Sequence, residues 1–210
     1  MPTPVIGMVG LMEDVRRVIT PGFKKEGAVI ALLGVTKDDL SNSEYAVSVG
    51  RLTAEEVIAT GKVPQLDLAR ELAVQQACLE TAEAGLLASA HDCADGGLAV
   101  ALAELCFSSP GKEAIGAKVD LTGTLNTTTL LFSESPSRII ISFDSGSLDS
   151  IRQICGTHNV PLEVLGEVSG TQLQISVNGT PTITAAVADL ESTWRNALLR
   201  SLKAEALVTS

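Results

Sequence analysis

The sequence predicts an α+β fold in which a mixed or antiparallel sheet is packed with helices. Apolar runs of strand length and amphipathic stretches of helix length are interspersed along the whole chain. Near the C-terminus, Asn178-Gly179 joins two strand-like runs as a two-residue hairpin signal. That makes at least one strand pair antiparallel and sets the chain apart from a doubly wound parallel sheet. No internal repeat, low-complexity tract or linker divides the 210 residues, so residues 1–210 read as a single domain.

Val5 to Met12 reads as a first strand, its glycines marking a bulge or a close backbone approach. Glu13 to Ile19 suggests a helical turn, ended by Pro21-Gly22. Ala28 to Val35 is almost wholly apolar and predicts a strand covered on both faces. Ser41 followed by Glu44 has capping-box spacing for a short helix. Leu66 to Ala84 is the longest helical stretch, with Pro64 ahead of it, Gly85 behind it, and Leu68, Leu72 and Leu79 on one face.

Leu86 to Ala90 is a short apolar strand. Leu98, Leu102 and Leu105 mark the next helix, with Asp95 placed to cap it and Ser108 to Gly111 stopping it. Ala114 to Leu121 alternates as a strand. Thr122 to Thr129 is small and polar, and reads as a loop. Ile139 to Phe143 is a strand, and Leu148 to Cys155 a helix. Leu162 to Val168, Leu173 to Val177 and Thr182 to Ala186 are strands. Asp189 to Leu202 closes as a helix whose inner side carries Leu190, Trp194, Leu198 and Leu202.

Composition narrows the function. The formal net charge of −10 disfavours non-specific binding to nucleic acid or to an anionic membrane. Mean hydropathy is +0.29, yet no run approaches the roughly 20 apolar residues of a membrane span. The opening Met1-Pro2-Thr3-Pro4 shows no secretory pattern, and Cys78, Cys93, Cys106 and Cys155 form no CxxC pair or metal-ligand spacing. The expectation is a cytoplasmic chain with reduced, mostly buried cysteines.

Two stretches carry chemistry. In Ala90-His91-Asp92-Cys93-Ala94-Asp95-Gly96-Gly97-Leu98, a carboxylate at a strand end precedes a diglycine that opens a helix. Unobstructed first-turn N–H groups suit an anion, and Asp92 suits Mg²⁺, a hard cation that accompanies phosphate. The alternative is a tight turn with one solvated and one capping aspartate. His91 fits either a general base or a packed imidazole, and His158 reads as a surface residue. In the second stretch, Ser133, Glu134, Ser135, Ser137 and Arg138 gather hydroxyls, a carboxylate and a guanidinium, a set that suits phosphate or carboxylate. The alternative is a polar loop in which Arg138 pairs with a neighbouring acid.

Pro4-Val5-Ile6-Gly7-Met8-Val9-Gly10, Ser43-Glu44-Tyr45, His91-Asp92-Cys93-Ala94-Asp95-Gly96-Gly97-Leu98 and Phe132-Ser133-Glu134-Ser135-Pro136-Ser137-Arg138 occur in this order. Together they resemble the last domain of the phosphoribosylformylglycinamidine synthase large subunit, in the AIR-synthetase (PurM-like) superfamily. The resemblance implies a PurM C-terminal-domain-like fold and an ATP-dependent ligase of purine biosynthesis. It converts formylglycinamide ribonucleotide and glutamine-derived ammonia to formylglycinamidine ribonucleotide. This chain would be the second copy of its C-terminal-type domain, with the nucleotide-binding domain expected ahead of Pro4 lying outside this sequence.

The same resemblance places Mg²⁺ on Asp92. It places nucleotide contacts on Ala94 (through its backbone) and on Glu134 and Ser135, and the reading of the residues themselves adds Gly96, Gly97, Ser133 and Arg138 as phosphate-binding candidates. No catalytic residue is carried over, and the isolated chain is expected to show no turnover. The implied partners are the nucleotide-binding domain of the same subunit and the glutaminase and small subunits. A purely architectural domain, or a piece of another PurM-like ATP-dependent enzyme, is the alternative.

Overall fold

A computed structural model describes residues 6–12, 14–109 and 111–208. Seven strands form one sheet in the order β2-β4-β1-β5-β3-β6-β7. They are β1 (Val29–Leu33), β2 (Ser89–Asp92), β3 (Ala117–Leu121), β4 (Ile139–Phe143), β5 (Leu162–Val168), β6 (Gln172–Val177) and β7 (Thr180–Ala186). Every pairing is antiparallel except that of β3 with β6. The sheet is therefore mixed, as expected. At Asn178 and Gly179 both φ angles are positive, 50° and 76°, which the tight β6–β7 hairpin requires.

Helices cover both faces at the β2-β4-β1 end. On one face α4 (Gly97–Cys106), α5 (Thr127–Phe132) and the start of α7 (Val187–Val208) pack on Ile30, Leu32, Ile140, Val119 and Ile175. On the other, α3 (Leu68–Glu83) and α6 (Leu148–Thr157) pack on Ala31, Leu33, Ile141 and Phe143. Successive strand residues point to opposite faces, so β1 and β4, covered twice, need nearly unbroken apolar sequence. β3 and β6 are covered once: Ala117, Val119, Leu121, Leu173, Ile175 and Val177 are buried, while Lys118 faces solvent.

Several expectations change. Ile6 to Met12 form no strand, and Val5 lies outside the described residues. Ser43, not Ser41, caps the short helix α1 (Glu44–Ser48) through Ala46 N, while the Ser41 hydroxyl accepts from Lys62 N at 3.0 Å. The capping box belongs to Thr53 and Glu56 on α2 (Ala54–Thr60), a helix the sequence reading passed over. Residues 127–129, expected in a loop, start α5 because Asn126 caps it.

Leu68, Leu72 and Leu79 do share a face of α3, but it is the outer one; Val74, Ala77 and Thr81 face the core. On α7, Trp194, Leu198 and Leu202 are exposed rather than inward. Its base is held by Glu191, which accepts from Arg195 Nε at 2.7 Å and from both the amide and hydroxyl of Ser108. No described helix is long and apolar enough to cross a membrane.

Candidate functional site

β1 and β2 both end where β4 begins: Leu33 and Asp92 each pair with Ile139. This places three loops side by side, residues 34–39, 93–96 and 133–138. Two glycines allow the contact. A Cβ on Gly97 (φ 63°) would stand 2.6 Å from Ser133 O, and one on Gly34 (φ 97°) would stand 2.1 Å from Ser137 O. Only a residue without Cβ accepts both the left-handed backbone and that proximity.

The 133–138 loop turns its polar groups inward. Ser133 and Ser135 are fully buried and Arg138 nearly so. Ser135 Oγ accepts from Lys37 N at 2.9 Å, and Ser133 Oγ accepts from Asp39 N at 3.1 Å while donating to Lys37 O at 2.7 Å. Arg138 donates to Ser135 O (2.8 Å), Ser133 O (2.6 Å) and Thr36 Oγ1 (3.1 Å). It thus folds back on its own loop and ties that loop to the segment after β1. Burial draws its pKa down from the ordinary value, opposed by Cys93, Asp39 and Glu134. Ser137 (φ 61°) reaches α3 through a 2.5 Å bond to Glu71.

Glu134 joins two helix N-termini. Its Oε1 accepts from Gly96 N and from Glu44 N, each at 2.8 Å. The N–H group expected to meet an external anion thus already holds a carboxylate of this chain, the charge that a helix N-terminus favours. Asp95 is not the cap of α4: the N-cap is Gly96 (φ 80°) with no side-chain cap bond, and Asp95 is exposed. Tyr45 stacks on Phe132 with centroids 4.8 Å apart, fixing α1 on α5.

Asp92 presents its carboxylate to solvent, 77% exposed, with His91 Nδ1 at 3.4 Å. His91 is held on both sides: Nδ1 lies 2.8 Å from Asp92 O and Nε2 lies 3.3 Å from Glu104. The imidazole is packed rather than free. Burial, reinforced by Asp92 and opposed by Arg138, pushes the Cys93 thiol up to about 11, so it is neither a nucleophile nor a thiolate ligand near neutral pH. Ala94 is exposed in the same turn. His158, expected at the surface, bonds Glu80 at 2.7 Å between α6 and α3.

Among the described residues no group of three or more His, Cys, Asp and Glu side chains is arranged to hold a metal ion. Asp92 is one hard oxygen donor, and that fits Mg²⁺ in the form in which one or two carboxylates share the ion with phosphate and water. The sequence reading missed Asp39, whose Oδ2 is buried with no hydrogen-bond partner among the described residues. The signal was present: Thr36-Lys37-Asp38-Asp39 follows directly on an apolar strand. At the same end of the sheet lies a cleft of about 290 Å³ lined by Gly34, Thr36, Leu98, Thr122, Gly123 and Glu163.

Residues 25–178 match the family model of the AIR synthase related protein, C-terminal domain. The phosphoribosylformylglycinamidine synthase subunit PurL of Alkaliphilus metalliredigens is 38% identical over 197 residues, 94% of this chain and 25% of its own length. The same subunit from Anaeromyxobacter dehalogenans is 39% identical over 98% of this chain and 27% of its own. The chain thus spans about a quarter of the length of the curated relatives it matches. A structure described as T. maritima PurL complexed with FGAR aligns with TM-score 0.71 and 21% identity, covering 84% of this chain and 30% of that one. Another, complexed with ADP, gives 0.65 and 20%, covering 84% and 27%. At such identity the likeness is one of fold.

Proposed function

This chain belongs to the family of AIR synthase related protein C-terminal domains, and from that premise we propose that it works within the large subunit of a phosphoribosylformylglycinamidine synthase. In this reading residues 1–210 carry one folded domain, the second of two related C-terminal-type domains in the subunit. Its partners are the subunit's nucleotide-binding domain and the glutaminase and small subunits of the complex. The reaction served is the ATP-dependent conversion of formylglycinamide ribonucleotide and ammonia to formylglycinamidine ribonucleotide. The observation that carries the reading is 38% identity to a PurL subunit over 94% of the chain.

Within that subunit Asp92 is the residue offered to Mg²⁺, at a nucleotide site shared with the neighbouring domain. When bound, the ion would supply positive charge against the phosphates of ATP or ADP. This chain's part is to hold the donor still. Asp92 ends a strand paired to β4, and the next residue is tied down by Cys93 N donating to Arg138 O at 3.1 Å. In the same turn the Gly97 amide donates to Ala94 O at 3.1 Å and the Gly96 amide to Glu134 at 2.8 Å.

A second reading, an architectural domain without a ligand of its own, is favoured by one observation. Ser133, Glu134, Ser135 and Arg138 all direct polar atoms into bonds within the protein. Asp92→Ala in the assembled subunit separates the two. The shared-site reading expects at least a tenfold fall in turnover and loss of bound Mg-nucleotide. Unchanged turnover and nucleotide content would overturn it and leave the architectural one.

A further inference from the structure

Among the described residues, 6–12 form a continuous exposed apolar stretch. Ile6 is 82% exposed, Met8 91%, Val9 103% and Leu11 96%. A side chain added at Gly7 or Gly10 would meet no atom within 4 Å. Among the described residues no hydrogen bond involves this segment; the first in the chain are those of Asp14. Met12, 54% exposed, is the one apolar side chain of the segment that is substantially covered.

The composition is nonetheless that of a strand. With a period of two, Ile6, Met8 and Met12 line one side, and Val9 and Leu11 line the other. Apolar residues on both sides mark a strand covered on both faces, as β1 is, rather than an edge strand. Within the sheet of this domain β4, β1, β5, β3 and β6 are already paired on both sides and only the edges β2 and β7 are open, so no interior position is left for it.

The comparisons set the segment within a longer protein. The family model covers residues 25–178 and begins after the segment. The match to the Anaeromyxobacter dehalogenans subunit takes in 98% of the chain and leaves only a handful of its 210 residues unmatched. Residues 6–12 consequently fall inside it, within a protein nearly four times as long.

We infer that residues 6–12 are an interior strand of a sheet outside this domain, in the nucleotide-binding part of the longer subunit, and that they bridge the two bodies. The inference rests on the proposed subunit context. The chain from Asp14 to Ala28 is then the connector, anchored by Phe23, which is buried and whose N donates to Leu105 O at 2.7 Å. Pairing gives the segment backbone bonds on both sides, and the residues on each face a core to enter.

The test is hydrogen exchange on two proteins: this chain alone, and this chain fused in frame after the first three quarters of the Anaeromyxobacter dehalogenans subunit. The expectation is exchange at free-peptide rates for residues 6–12 in the chain alone, and slowing by roughly a thousandfold or more in the fusion. Val9→Pro in the fusion should abolish that slowing, because proline removes a ladder donor. In the chain alone, Val9→Pro should leave the melting temperature within about 1 °C, since surface changes that touch nothing are near neutral. Protection in the chain alone, or a clear loss of its stability on Val9→Pro, would show that the segment packs on this domain and overturn the inference. A folded fusion with free-peptide exchange at 6–12 would do the same. Turnover by the fusion reads the proposed function separately: an active fusion with an unprotected segment sinks only the strand, and a protected segment in an inactive fusion sinks only the activity.

Discussion

Glu134→Ala removes one side chain and orphans two backbone donors. Gly96 is buried and its 2.8 Å bond to Glu134 is part-buried, so water replaces that bond poorly. A buried amide left without a partner costs about 1–3 kcal/mol, and bonds to a charged acceptor fall at the upper end. Glu44 N lies at the exposed start of α1, where water takes over, so its loss adds only about 0.5 kcal/mol, the low end for a net hydrogen bond. The sum is about 3 kcal/mol, which for a chain of this size lowers the melting temperature by roughly 6–12 °C. Glu134→Gln keeps an acceptor oxygen and loses only the charge, so it should retain about half of that. Calorimetry on the three proteins at pH 7 decides it. A shift under 2 °C for Glu134→Ala would refute the view that this carboxylate joins the loops. Equal losses for Gln and Ala would place the effect on charge rather than on the two amides.

Asp92→Asn should leave chain stability within about 0.5 kcal/mol, because an exposed carboxylate at a strand tip supports nothing in the fold; urea titration checks it. Gly34→Ala places a Cβ 2.1 Å from Ser137 O at φ 97°, and the combined clash and strain should cost 4 kcal/mol or more, among the largest single-residue effects, read as loss of soluble folded protein. The buried thiols make stability fall at high pH: Cys93 is pushed up to about 11 and Cys106 to about 12 from 9.0. Between pH 9 and about 11 for Cys93, and up to about 12 for Cys106, the unfolded chain gives up protons that the folded chain retains. Stability from these groups is therefore complete below pH 9 and lost as pH rises through that window, measurable by urea titration with thiolate absorbance alongside. Glu191 works at the other extreme: bonds from Ser108, then Arg195, hold its carboxyl below the usual 4.5. Its contribution is present above that value and lost as pH falls through the lowered one, and Glu191→Gln should flatten the melting temperature across that range.

The parts of the fold legible in the sequence are those set by neighbours along the chain. Ala28 to Val35 announced a twice-covered strand because both faces need apolar residues, and Asn178-Gly179 announced its hairpin because few residues accept two positive φ angles. Periodicity identified the apolar stripe on α3 correctly but gave no information about what covers it. The core face is formed by Val74, Ala77 and Thr81, residues small enough for α3 to lie close to the sheet, while the leucines point away. Leu198 and Leu202 of α7 were misplaced for the same reason. Val5 to Met12 shows the limit most plainly: strand composition reports that a segment will be buried, not in which body.

The site was legible as a set of residues, and much less as a set of roles. Ser133, Ser135 and Arg138 attracted attention because hydroxyls and a guanidinium suit an anion, yet in the structure each satisfies backbone groups of loops 34–39 and 133–138. Sequence spacing cannot separate these uses, since the same donors serve a phosphate or a carbonyl. The separation comes from burial. A fully buried serine whose one O–H already donates to a backbone carbonyl has no donor left for an anion, whereas Asp92 one loop away is open. The two findings bear on each other. A lone exposed carboxylate discriminates for a metal only if its position is fixed, because the ion's other oxygen partners must come from elsewhere. Here the fixing groups are the internal ones: Arg138 O holds the amide after Asp92, and Glu134 holds the turn that follows. On the proposed shared-site reading, loosening that support weakens the Asp92 position without touching Asp92 itself, so Ser135→Ala and Asp92→Asn ought to impair the assembled subunit together while only Ser135→Ala lowers the stability of the chain.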